Sequence, residues 1–133
     1  MAYDQSGSGI LIALTAAADL SAKQYNFVKL DGNGDVVLTD ASSAGEIPIG
    51  VLQNAPTSGQ AATVMIVGIS KVEAGVAFDE GVKIACSDSG SSADDGQAVA
   101  ADASDNVVGQ TITAGAADEY ITAAINCASP TIF

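Results

Sequence analysis

The chain has no histidine, no arginine and no tryptophan, only two cysteines and three prolines, and four lysines as its whole positive charge. Each scarcity closes a class of function. Without histidine the commonest general base and metal ligand is missing, and a Ser-His-Asp triad is excluded. Four lysines against 16 carboxylates leave a net charge of −12. That charge repels phosphate and offers no basic face for counterion release, so neither nucleic acid nor an anionic membrane is an expected partner. Cys86 and Cys127 form no CxxC pair; two free thiols are the expectation, with a single disulfide as the alternative. No apolar run approaches the ~20 residues of a transmembrane helix. The opening MAYDQSGSG carries neither the basic nor the apolar region of a secretion signal.

What is present is small and apolar. The chain is 48% hydrophobic but 5% aromatic, with 14 glycines, so its core must be built from Ala, Val and Ile, slim side chains that suit strands. Such a core buries little surface per residue, and association of copies is its natural supplement. The 133 residues fit one domain. Residues 1–9, polar and Gly/Ser-rich, read as a flexible N-terminal arm; residues 10–133 read as a single β domain.

Short alternating runs separated by Gly, Asp, Asn and Ser turns predict strands at Ile10–Leu14, Tyr25–Leu30, Val36–Thr39, Pro48–Gln53, Ala61–Ser70, Val82–Cys86, Gln97–Ala101, Val107–Thr113 and Tyr120–Asn126. At most a short helical turn is expected after Thr15. Ala61–Ser70 is the longest β run. Val64, Ile66 and Ile69 are its core candidates, and Gly68 marks a bulge or a close backbone approach.

The order of these elements repeats. Laid over itself, the chain brings Ile12 onto Ile66, Val28 onto Val82 and Leu30 onto Ile84; further along, Gly50 falls on Gly109, Thr63 on Thr122 and Ile66 on Ile125. Gly50 and Gly109 are thereby candidate structural equivalents. A duplicated β unit, spanning about residues 10–63 and 64–126, predicts a compact all-β barrel or sandwich of two related halves.

Groups that could carry chemistry are few. Asp31, Asn33 and Asp35 alternate as calcium ligands do, but the sixth position of an EF-hand loop falls on Val36 and the twelfth on Ser42, where Gly and Glu are required. A hairpin turn explains them. Asp79-Glu80 and Asp94-Asp95 are neighbours on an extended chain and point apart, so neither makes an acid/base dyad. No phosphate-binding or nucleophile-elbow motif occurs. No catalytic residue, metal or cofactor is therefore expected, and the chain is not expected to be an enzyme.

The phrase IPIGVLQNAPTSGQAATVMIVGISKVEAG, preceded by FVKLDGNGDVVLTD and followed by GVKIACSDSG, resembles the small capsid decoration, or cement, proteins of tailed bacteriophages. The resemblance covers roughly Ile10–Ile125. It implies a β-rich fold, a homotrimer, and a place on the virion exterior after synthesis in the host bacterial cytoplasm. There the trimer would bridge subunits of the major capsid protein and stabilise the shell. It also implies that the N-terminal arm, with Met1, Ala2, Tyr3, Asp4 and Gln5, contributes to the capsid contact. A head-fibre or other surface β-module with a binding role is the alternative, also non-enzymatic.

Overall fold

The computed structural model describes residue 2 and residues 9–40, 46–87 and 89–133; among them are strands, turns and bends but no helix. The strands are β1 (Ile10–Thr15), β2 (Phe27–Leu30), β3 (Val36–Leu38), β4 (Gly50–Leu52), β5 (Ala61–Glu73), β6 (Lys83–Cys86), β7 (Ala98–Ala100), β8 (Asn106–Val107), β9 (Gly109–Thr111), β10 (Tyr120–Asn126) and β11 (Thr131–Ile132). The main sheet is antiparallel in the order β3-β2-β4-β5-β10-β9-β6-β7, with β1 also paired to β5, and it curls into a half-barrel. β11 and β8 form a separate ribbon. The expected strand at Val107–Thr113 is thus two short ones, broken at buried Val108, whose N–H donates to the Ile84 carbonyl.

The two halves repeat each other in their hydrogen bonds. In the first, Val28 pairs with Gly50 and Leu38; in the second, Ile84 pairs with Gly109 and Ala100. Leu52 pairs with Val64 as Thr111 pairs with Ala123, and Ile12 with Val64 as Ser70 with Ala123. The isolated bridges match, Ala16 to Val36 and Ala74 to Ala98. Even a turn bond recurs: the Thr57 N–H donates to Gln60 Oε1, and the Ala116 N–H to Glu119 Oε2.

β5 belongs to both halves. β1 pairs with its residues from Ala61 to Val67 and β10 with those from Val67 to Glu73, so the end of β10 and the start of β1 meet at Val67. One continuous strand therefore carries both units, and its counterpart is divided between β10 and β1.

The ladder sets Ile12 against Ser70 and Val28 against Ile84, where the sequence overlay paired them with Ile66 and Val82. Each difference is an even number of residues, which preserves the inward and outward alternation of a strand. Small apolar residues at period two cannot distinguish such registers; hydrogen bonding does.

Around β2, β4 and the first half of β5 the sheet is buried on both faces. Phe27 lies opposite Val51 and Val51 opposite Met65, and their side chains join Val72, Phe78, Ile84, Ile121 and Ile125 in the main core. On the other face Val28, Leu52 and Val64 pack with Ala16, Leu20 and Val36. Each fully buried Val, Leu, Ile, Met or Phe side chain among them contributes about 1.5–3 kcal/mol. Of the three core candidates, Val64 is buried, whereas Ile66 and Ile69 are half-buried. Ile66 is skipped where the β1–β5 register slips between Ile10 and Leu11. Ile69 pairs with exposed Ala124, while the neighbouring positions Ser70 and Val72 are the buried ones. At Gly68 an added Cβ would lie 2.9 Å from the Gly9 Cα, a close backbone approach.

Candidate interaction surface

Four of the groups with intrinsic reactivity, Asp31, Lys29, Cys86 and Cys127, are engaged by the fold. The Asp31 carboxylate accepts hydrogen bonds from the backbone of Asn33 at 2.8 Å and Asp35 at 3.0 Å, holding its own hairpin turn. Lys29 bonds Asp40 at 2.8 Å and also Glu46. Desolvation pulls its pKa down, but the two carboxylates outweigh it and hold it above the ordinary value. Cys86 and Cys127 are both free and buried. Burial pushes each thiol up to about 12, with Glu46 adding to the effect at Cys86 and Cys86 adding to it at Cys127. A thiolate, the reactive form, is thereby suppressed. Among the described residues no group of three or more His, Cys, Asp or Glu side chains is placed to hold a metal ion.

One polar network escaped the sequence reading. Asn26 Nδ2 donates to Glu73 Oε2 at 2.7 Å, and Gln97 Nε2 donates to Asp118 Oδ1 at 3.0 Å and Glu73 Oε1 at 3.4 Å. It ties the segment before β2 to the end of β5, to β7 and to the turn before β10. Four residues from four separate stretches leave no spacing to detect. Beside it Tyr25 meets Tyr120 edge to face at 5.5 Å, with Lys71 Nζ 5.5 Å from the Tyr25 ring centre.

Two members of this region hold strained backbone. Tyr25 and Asp118 have φ of 67° and 65°, where their counterparts in the other half are Gly81 at 78° and Gly59 at 85°. The equivalence follows from the bonds: Tyr25 N–H to Leu52 O matches Gly81 N–H to Thr111 O, and Gly59 N–H to Ala16 O matches Asp118 N–H to Ala74 O. A left-handed residue other than glycine costs about 1–2 kcal/mol. The second half accepts that cost at Asp118 and the first at Tyr25, and in both cases the side chain makes contacts that glycine lacks.

Gly50 and Gly109 occupy equivalent places for a different reason. An added Cβ would lie 2.3 Å from the Met65 carbonyl oxygen at the first and 2.4 Å from the Ala124 carbonyl oxygen at the second. Both are shape-setting positions. Of the arm residues, Ala2 is half-buried, and Met1, Tyr3, Asp4 and Gln5 lie outside the described residues.

What remains to face a partner is surface. Ile10, Leu11 and Ile12 of β1, Leu30, Ile47, and the C-terminal Ile132 and Phe133 are large apolar side chains left exposed. Phe133 is held by its N–H to the Asp105 carbonyl and lies beneath Lys83, 5.8 Å from its ring centre. β1 alone gathers three of these residues in succession.

No known family and no curated protein matches the sequence. Solved structures do match in fold. The chain is similar to the N base of the head fiber gp8.5 in bacteriophage phi29, with a TM-score of 0.64 and 18% identity, over 93% of this chain and 98% of that one. It is also similar to a chain of the capsid of Myoviridae phage XM1, with a TM-score of 0.65 and 17% identity, over 95% of this chain and 88% of that one.

Proposed function

We propose that this chain is a non-enzymatic structural protein of a phage head, attached to the outer surface of the capsid as a homotrimer that bridges subunits of the major capsid protein and stabilises the shell. One observation carries the reading: the fold is shared, over nearly the whole of both chains, with two proteins of phage heads. The sequence resemblance to capsid decoration proteins supports it. So does the charge, since a protein of −12 seated outside the shell has no tendency to bind the packaged genome.

The mechanism is avidity. Each copy contributes a weak contact through its N-terminal arm and the base of its sheet, and tethering three such contacts in one particle raises the effective concentration of the second and third. A chain lacking residues 1–9 is expected to fold and to keep its oligomeric state while losing occupancy on purified shells. Full occupancy by the truncated protein would remove the arm from the mechanism.

The second reading is the base of a head fibre, favoured by the extent of the likeness to the phi29 fibre base. Cryo-electron microscopy of decorated shells separates the two. A compact knob between capsid subunits supports the cement reading, and a knob continuing into a radial projection supports the fibre base.

A further inference from the structure

We propose that β1 is the surface through which copies of this chain associate, and that its occupant is a second copy of the same chain. The inference deepens the oligomeric part of the proposed function and rests on no assumption about the capsid.

The internal duplication supplies the reference. The counterpart of β1 is the second half of β5, with Leu11-Ile12-Ala13-Leu14 answering to Ile69-Ser70-Lys71-Val72. That counterpart is covered from within the molecule. Gln53 Nε2 donates to Ser70 Oγ at 2.9 Å, the Glu73 N–H donates to the Tyr25 carbonyl, and Lys71 lies over the Tyr25 ring. Ser70 and Val72 are fully buried there, Val72 in the main core. The residues that would cover β1 in the same way are Ile112, answering to Gln53, and Gly81, answering to Tyr25. Ile112 has no side-chain donor to match Gln53, Gly81 has no ring to match Tyr25, and among the described residues no backbone bond joins Gly81 to Thr15 as one joins Tyr25 to Glu73. Ile12, which answers to Ser70, is 40% exposed, and its neighbours Ile10 and Leu11 are 61% and 43% exposed.

The backbone of β1 is open as well. Among the described strands it pairs with β5 alone, so among the described residues no strand covers the N–H and C=O groups of its other edge. Strand edges of this kind are usually blunted by Lys, Pro or inward-pointing charge; ILIALT has none of these. An apolar strand with an open edge takes another neutral strand or apolar face.

Charge selects the occupant. Two chains of −12 repel each other wherever their acidic loops meet, but no charged residue lies between Asp4 and Asp19. β1 sits inside that neutral interval. It is where two copies can approach without opposing their own net charge, whereas a basic partner would be drawn to the acidic loops.

The test converts β1 into its own counterpart. The double substitution Ile12→Ser, Ala13→Lys gives β1 the Ser-Lys pair that the second half of β5 already carries at these pleat positions. Both target residues are exposed, so the fold is expected to survive, and the far-ultraviolet spectrum and melting temperature check that it does. The single Ala13→Lys serves if the double variant does not fold. Mass is read by light scattering on the full chain. The wild type is expected at a multiple of 13.1 kDa and the variant at that single mass, while Ile132→Lys, at an exposed apolar site on the other sheet, keeps the wild-type mass. A monomeric wild type, or a folded variant that keeps its oligomer, overturns the proposal. Shell binding is measured separately. A monomeric wild type that still decorates shells would sink the β1 interface and leave the phage-head reading standing; a monomeric variant with undiminished decoration would keep the interface and sink avidity.

Discussion

A methyl group at Gly50 or Gly109 has nowhere to go, because the obstacle in each case is a carbonyl oxygen of the adjacent strand and not the end of a flexible side chain. Gly50→Ala and Gly109→Ala are each expected to destabilise by about 3 kcal/mol or more, at the upper end of overpacking costs, with similar losses at the two sites. Urea unfolding of both variants checks this, and a large inequality between them would count against their equivalence. The thiols make a second test. An unfolded cysteine deprotonates near its ordinary value of 9.0, while these hold their protons to about 12. Between those values the unfolded state binds fewer protons, so stability is intact below pH 9 and falls as pH rises toward 12. A disulfide-exchange dye at pH 8 should find no reactive thiol in the native protein and two in denaturant. Residues of this kind were visible in the sequence as types but not as roles: Gly50 stood out through its repeat partner, whereas Tyr25 and Asp118 gave no sign that they stand where the other half has glycine.

Among the elements, β5 is paired along its whole length and buried on both faces over its first half, while β3 and β7 close the sheet at its edges. Amide hydrogen exchange is therefore expected to be slowest in β5 and β10, faster in β3 and β7, and fast along the open edge of β1 in a monomeric variant. Equal protection across the sheet would contradict the layout. Ile121→Ala, at a fully buried site of β10, is expected to cost about 2–5 kcal/mol. Most strands were legible because alternation and turn residues are local signals. The β8–β11 ribbon was not, since two-residue strands have no period to read. Nor was the half-burial of Ile66 and Ile69, since Ile66 falls where the β1–β5 register slips and alternation alone does not locate a slip. The repeat itself could be seen, but its register over β1 and β2 could not.

At the scale of the whole molecule the excess of carboxylates works against compactness. Raising the salt from low concentration to about 0.5 M shortens the screening length several-fold, so the melting temperature is expected to rise; a fall would mean that the Lys29 pairs with Asp40 and Glu46 matter more than the net charge. The all-β class and the two halves could be read from composition and order alone. The seam where β10 ends and β1 begins could not, because it joins residues at opposite ends of the chain. That seam has an ancestral reading. Each unit supplies one half of β5's pairing and would leave half its ladder empty if alone, so a gene encoding only the first unit would yield a polypeptide that completes its sheet by partnering a twin. The present protein is then a homodimer made permanent by fusion, with Gly68 near the joint and the Val67 seam as the side that fusion never closed. A fragment spanning residues 10–67 should sediment at twice its own mass, and a strictly monomeric folded fragment would refuse that genealogy.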